Sequence, residues 1–228
     1  SKRFNNNIYL KREDLQEVFS FKVRGAFNKM RNLSKETLSR GVITSSAGNH
    51  AQGVALSANK LNCKATILMP VTTPQVKVKA VKELNAEVIL FGESYDETYQ
   101  EAIRISEERN LSFIHPFDDP DVIAGQGTIA IEVISQLKKA PDSIYIAVGG
   151  GGLIAGISIY IKNLWPKVKI IGVEPEDANA MTRSLKAKKI VTLENVGLFA
   201  DGVAVKQIGK ETFEIAQTYV DKMITVNT

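Results

Sequence analysis

Short runs of apolar, β-branched residues recur along the chain, separated by longer stretches in which apolar positions return every three or four residues. The first pattern suits strands buried on both faces and the second suits helices laid over them, so the alternation predicts an α/β protein with parallel sheets. Strands are expected at residues 8–10, 42–44, 65–69, 87–91, 144–148 and 169–173. Several helix starts are marked by their chemistry. Thr73-Pro74 places a proline in a first turn, Ser94 with Glu97 makes a capping box, and another helix opens near Asp121 and runs through Ile131 and Val133 to Leu137.

Residues 41–119 hold three complete strand-helix units, enough for a small sheet domain. The remainder, residues 1–40 and 120–228, would form a larger, discontinuous domain. The boundary between them would be a cleft, a favoured place for small molecules. No internal repeat or low-complexity tract interrupts this pattern.

Four glycines, Gly149, Gly150, Gly151 and Gly152, follow one apolar strand and precede Leu153-Ile154-Ala155-Gly156. A strand-loop-helix joint without side chains lets backbone amides converge on an anion at the positive end of the helix, and phosphate is the natural guest. A ligand-free tight turn is the plainer alternative, but four glycines lose more conformational entropy than such a turn needs. A dinucleotide fingerprint is the sharper one: Gly150, Gly152 and Ala155 match its spacing, and Glu174 ends the next strand where a ribose-binding acid would sit. No Gly-Lys-Ser/Thr follows, so a P-loop for nucleoside triphosphates is excluded. The glycines alone leave the choice open.

Lys22 lies in Phe19-Ser20-Phe21-Lys22-Val23-Arg24-Gly25, at a loop-helix joint. Taken by itself it reads as an exposed first-turn lysine. Facing a cleft, however, partial burial would lower its pKa and yield a neutral, nucleophilic amine. Ser45-Ser46-Ala47-Gly48-Asn49-His50 opens a further helix with a polar side chain at its start. An amine, a polar clamp and an anion cradle are the protein parts needed to hold a phosphorylated aldehyde covalently.

Composition narrows the alternatives. The 228 residues are 44% hydrophobic, ordinary for a globular protein, and carry a net charge of +4 with both signs mixed throughout. The longest basic cluster, Lys186-Ala187-Lys188-Lys189, lacks interleaved aromatics and reads as a solvated loop, so no nucleic-acid partner is expected. Cys63 is the only cysteine; it admits no internal disulfide, suits a reducing compartment and, at the entry to a strand, makes a poor nucleophile. No apolar run is long enough to span a bilayer and no signal peptide is visible, so no membrane partner is expected. The chain opens in mid-pattern without a methionine and reads as a fragment.

Residues 19–25, 44–53 and 148–156, in this order and at these separations, resemble the serine/threonine dehydratase family of fold type II pyridoxal-phosphate enzymes. Val71-Thr72-Thr73-Pro74-Gln75-Val76-Lys77, His115-Pro116-Phe117-Asp118-Asp119-Pro120, Val122-Ile123-Ala124-Gly125-Gln126-Gly127-Thr128 and the segment 196–206 are similar to the biosynthetic threonine dehydratases within it. The resemblance covers essentially the whole chain. It implies two open, parallel-rich sheet domains with the cofactor between them and the C-terminal part missing.

It also implies roles for individual residues. Lys22 would be the Schiff-base lysine and catalytic base, Phe21 would pack on pyridoxal 5'-phosphate, and Asn49 would hydrogen-bond its phenolic oxygen. The amides of Gly149, Gly150, Gly151, Gly152 and Leu153 would hold the phosphate, and Ser45, Ser46, Ala47 and Gly48 would receive the substrate carboxylate. His50 reads as a first-turn helix residue and His115 as structural. The implied reaction converts L-threonine to 2-oxobutanoate and ammonia, the first step of isoleucine synthesis, with L-serine as a second candidate substrate. The setting would be a cytoplasmic homo-oligomer, or the plastid stroma in a plant. Serine dehydration, β-replacement, a racemase-like enzyme and an inactive cofactor-binding remnant are the rivals.

Two departures from the related racemases matter. Ala47 stands where they carry a serine that serves the opposite face of the substrate, so elimination without substantial racemisation is expected. Ala180 stands where they carry the second acid of a divalent-cation site, which leaves Glu174 alone, and no required metal is expected. The serine that the family places near the pyridine nitrogen falls in a segment beyond Thr228.

Overall fold

The computed structural model describes residues 3, 5–197 and 199–227, so Leu198, which belongs to the 196–206 resemblance, lies outside the described residues. The strands are β1 (Val42–Ser45), β2 (Ala65–Met69), β3 (Glu87–Leu90), β4 (Ser112–Phe113), β5 (Ser143–Ala147), β6 (Lys169–Pro175) and β7 (Lys222–Val226). Among the described residues they form two sheets, ordered β3-β2-β1-β4 and β5-β6-β7, and every neighbouring pair is parallel. The helices are α1 (Lys22–Asn32), α2 (Lys35–Arg40), α3 (Asn49–Lys60), α4 (Gln75–Lys82), α5 (Tyr95–Glu108), α6 (Pro120–Gln136), α7 (Gly152–Leu164), α8 (Ala180–Ala187) and α9 (Lys210–Tyr219). None of them is long and apolar enough to cross a membrane.

Parallel strands need helical crossovers, which cover both faces of the sheet and make its central strands apolar throughout. β1 and β2 are buried at every position for this reason. Their side chains alternate between two cores: Val42, Ile67 and Met69 join Val54 of α3 and Val78 of α4, whereas Ile43 and Leu68 meet Ala102 and Ile105 of α5. The second sheet has its own core, in which Ile146, Ile154, Ile161, Ile170, Met181 and Phe213 meet. α1 joins the two halves. Ala26 and Met30 enter the core of the four-stranded sheet, while Gly25 on the same helix accepts the close approach of Gln126 and Val122 from α6.

Several expected boundaries hold to within a residue or two, and β2 falls on residues 65–69 as the pattern predicts. The capping box is present: the Ser94 hydroxyl accepts from the Glu97 amide and the Glu97 carboxylate accepts from the Ser94 amide. Pro74 stands at the N-cap of α4, and the helix expected near Asp121 begins at Pro120, with Asp119 capping the Asp121 and Val122 amides. The strand expected at residues 8–10 does not form. Ile8, Tyr9 and Leu10 lie exposed in an irregular segment, so their apolar side chains bury no face as a strand's would. Side chains that follow pin this segment instead, Lys11 to Glu132 and Glu13 to Arg24. Two strands escape the pattern altogether: β4 is only two residues long, and β7 is half-exposed and amphipathic.

Candidate active site

Three loops leave the carboxyl ends of parallel strands, the edge at which open α/β sheets collect their ligands. β1 runs through Ser46, Ala47 and Gly48 into α3, β5 runs through residues 148–151 into α7, and β4 runs through residues 114–119 into α6. Lys22 stands at the first position of α1, beside the last of the three.

The Lys22 amine donates to the carbonyl oxygen of Pro116 at 2.9 Å, and burial lowers its pKa to about 8. A backbone carbonyl is a weaker partner for a cation than a carboxylate, so nothing offsets the desolvation and a neutral amine is accessible near physiological pH. The backbone around Lys22 is clamped from two sides. Gly53 of α3 lies so close that a β-carbon there would sit 3.0 Å from the Lys22 carbonyl carbon. One turn on, the Arg24 guanidinium grips both Glu13 oxygens at 2.7 and 2.8 Å and both Glu132 oxygens at 2.6 and 3.0 Å, tying α1 to α6. Phe21 packs against the core of the three-stranded sheet, with its ring centroid 5.5 Å from the Lys22 Nζ.

The glycine loop is shaped by what presses on it. Gly151, the N-cap of α7, has a φ of +97°, a left-handed conformation that side-chain-bearing residues rarely adopt. A β-carbon on Gly150 would fall 2.3 Å from the Phe117 ring. With no side chains in the way, the first amides of α7 remain the free donors of a helix N-terminus. The Leu153 side chain packs into the core, so only its amide faces the loop's ligand side.

At the end of β1, Ser45 is fully buried and its hydroxyl has no partner among the described residues; the hydroxyl of buried Ser20, two residues before Lys22, has none there either. Ser46 turns the chain by accepting from the Gly48 amide at 3.2 Å, and a β-carbon on Gly48 would meet nothing within 4 Å. Asn49 is exposed at the first position of α3 and faces residues 200–203, where a β-carbon on Gly202 would lie 3.9 Å from its amide nitrogen. The same segment leans on Gly149 through Val203. Two ion pairs tether it to the four-stranded half, Lys77 to Asp201 at 2.7 Å and Lys206 to Asp96 at 3.4 Å.

Both histidines bond to backbone groups. His50 sits in the first turn of α3 and its Nε2 donates to the Ile114 carbonyl at 2.9 Å, while burial, reinforced by Lys22, pulls its pKa down to about 3. His115 Nδ1 accepts from the Phe117 and Asp118 amides, and burial draws it down to about 4. Glu174 is fully buried, and its carboxylate accepts from the Met181 amide, the Thr182 amide and the Thr182 hydroxyl at 2.6 to 2.9 Å. It caps α8 and cannot reach a ribose, which removes the acid that a dinucleotide site requires. Among the described residues, no cluster of three or more His, Cys, Asp or Glu side chains could hold a metal ion.

The structure links several of the expected site residues through two segments: Pro116 meets Lys22 and Phe117 presses on Gly150, while Gly202 and Val203 approach Asn49 and Gly149. It adds Pro116 and Phe117, whose segment belongs to the resemblance but for which no role was expected, because their partners lie far away in the chain. A half-buried amine of lowered pKa, two buried hydroxyls without partners among the described residues and an anion cradle free of side chains fit a phosphorylated aldehyde cofactor.

A family profile described as "Pyridoxal-phosphate dependent enzyme" matches residues 1–228. A biosynthetic L-threonine dehydratase from Burkholderia multivorans is 55% identical over 231 residues, which are 100% of this chain and 46% of the relative. The processed form of threonine deaminase isoform 2 from Solanum lycopersicum superposes with a TM-score of 0.97 at 54% identity, covering 100% of this chain and 66% of that one. Maize serine racemase follows with a TM-score of 0.91 at 35% identity, covering 94% and 65%. The chain spans less than half the length of the Burkholderia relative. Cleft, lysine and glycine loop agree with the full-length profile match, and the chain belongs to the pyridoxal-phosphate dependent enzymes.

Proposed function

We propose that this chain is the cofactor-holding part of a threonine dehydratase, which converts L-threonine to 2-oxobutanoate and ammonia at the head of isoleucine synthesis. The observation that carries the reading is the Lys22 amine, half-buried, shifted to about 8 and held by the Pro116 carbonyl rather than a carboxylate, on the same segment whose Phe117 ring presses on the glycine loop. The names of the Burkholderia and tomato relatives point the same way.

When bound, pyridoxal phosphate supplies an electron sink for charge developing at the substrate Cα. The chain's residues do the rest. Lys22 would hold the cofactor and then, once displaced by the substrate amine, accept the Cα proton at Nζ, which its lowered pKa suits. Asn49 would orient the ring from the start of α3. The amides of residues 149–153 would bind the phosphate at the N-terminus of α7. Ser45, Ser46, Ala47 and Gly48 would receive the substrate carboxylate where Gly48 opens on free space. The segment 200–206 would limit water entry at the mouth.

The proposed division into residues 1–40 with 120–228 and residues 41–119 is supported by the two sheets, each lying wholly within one part. α1 belongs by sequence to the first and packs into the core of the second. Ala47 supports elimination over racemisation, although maize serine racemase shares the fold. L-Serine is the second proposed substrate. A homo-oligomer in a reducing compartment, the cytoplasm or a plant plastid, completes the proposal.

The test is keto-acid release from threonine and serine by the chain extended to the length of its relatives, with pyridoxal phosphate added. Activity with a cofactor absorption band that Lys22→Ala abolishes is the expected result. Cofactor binding without ammonia release from either amino acid would reduce the protein to an inactive relative.

A further inference from the structure

The glycine loop cannot position its own amides, because four residues without side chains have nothing with which to anchor themselves. Its anchors lie elsewhere. The Thr212 hydroxyl, on the fully buried third residue of α9, donates to the Gly150 carbonyl at 2.7 Å, with the Gly209 amide approaching the same oxygen at 3.4 Å. In a trans peptide the carbonyl and the following amide belong to one rigid plane and point in opposite directions. Fixing the Gly150 carbonyl towards α9 therefore aims the Gly151 N–H away from α9, into the cleft.

Thr212 is in turn placed by Asp118. That carboxylate accepts from the Lys210 amide at 3.0 Å and from the Thr212 amide at 3.3 Å, holding the first turn of α9 against the 114–119 segment. The same segment supplies the Phe117 ring that presses on Gly150 and the Pro116 carbonyl that holds Lys22. One strap thus touches both ends of the expected cofactor, the amine at one end and the phosphate cradle at the other.

We propose that Thr212, positioned by Asp118, is a positioning residue for phosphate recognition: it orients the Gly150–Gly151 peptide so that the loop amides converge on the cofactor's phosphate. The inference rests on the cofactor reading above and adds to it a residue 62 positions from the loop it controls.

The test compares, in the full-length protein, binding of pyridoxal phosphate with binding of pyridoxal, which lacks the phosphate, followed by the absorbance of the bound cofactor. Thr212→Val keeps the shape and removes the donor; it should weaken pyridoxal phosphate binding about ten-fold and leave pyridoxal binding within about two-fold. Thr212→Ser, which restores the hydroxyl, should stay within about three-fold of the parent for both. Asp118→Asn, which keeps one acceptor, should show a smaller loss confined to the phosphorylated form. Equal weakening of both ligands by Thr212→Val would mark Thr212 as merely structural, and no weakening of either would mark the bond as idle; each overturns the proposal. Should Thr212→Val fail to fold, Asp118→Asn decides by the same ratio. A parent protein that shows no preference for the phosphorylated form would instead remove the cradle, and the functional reading with it.

Discussion

The Lys22 amine donates its hydrogen bond to the Pro116 carbonyl, a residue 94 positions away, and finds no carboxylate there. The partner decides the chemistry. A carboxylate would hold the ammonium charged, whereas a neutral carbonyl leaves burial to lower the pKa to about 8.

The stability of the cofactor-free protein should therefore rise with pH between about 8 and 10.5. The unfolded chain keeps the Lys22 proton up to its ordinary pKa while the folded one releases it earlier, so the unfolded state binds more protons across that interval. The gain across that interval should amount to roughly 1–3 kcal/mol, the lower end reflecting the part of the residue that remains exposed. Denaturant titrations at several pH values would read it, and Lys22→Met should flatten it. A parent profile already flat would contradict the burial.

His50 and His115 act on the acid side. Their folded pKa values of about 3 and about 4 lie below the ordinary 6.5, so both are neutral in the native state and charge more readily on unfolding. Stability should fall as pH drops through 6.5 and continue to fall towards 3. In the folded protein, proton NMR of the two imidazoles should show no titration step between about pH 5 and 8. A step there for His50 would mean that its ring is hydrated.

Arg24 ties α1 to α6 through two carboxylates, with its side chain 13% exposed against 15% for Glu13 and 39% for Glu132. Arg24→Ala should cost about 2–3 kcal/mol, because it takes the cation from partly buried Glu13 and leaves Glu132 with Lys11 alone. Arg24→Lys should recover little, since an ammonium cannot match two forks at once. The loss should also loosen the first turn of α1, so cofactor affinity should fall along with the thermal midpoint. Unchanged affinity in a destabilised variant would separate the ion network from the lysine.

Gly151→Ala should destabilise the fold by roughly 1–3 kcal/mol and impair cofactor binding, since alanine is strained at φ +97° and its methyl would meet the Met181 Cε at 2.7 Å. Thermal unfolding with and without pyridoxal phosphate would measure both. A variant that binds the cofactor as the parent does would show that the loop does not cradle the phosphate.

Glu174→Gln should cost about 1–3 kcal/mol, because an amide nitrogen replaces one acceptor facing the donors at the start of α8. Added magnesium should leave the parent's thermal midpoint unchanged. A rise with magnesium would give Glu174 a ligand's role instead of a cap's.

Local order determined a good deal by itself. Apolar runs of strand length between helical periods foretold α/β layers, because burial on both faces of a parallel sheet writes itself directly into consecutive residues such as 65–69. Ser94 with Glu97 foretold a helix start because its hydrogen bonds close within four residues. Lys22, Asn49 and Gly149–Gly152 were legible as candidates because each stands at a loop-helix joint that the pattern itself reveals. Tertiary structure alone decided what those joints face. That Pro116 receives Lys22, that Phe117 covers Gly150, that Thr212 holds the Gly150 carbonyl and that Glu174 caps α8 instead of binding a ribose all depend on contacts between distant segments.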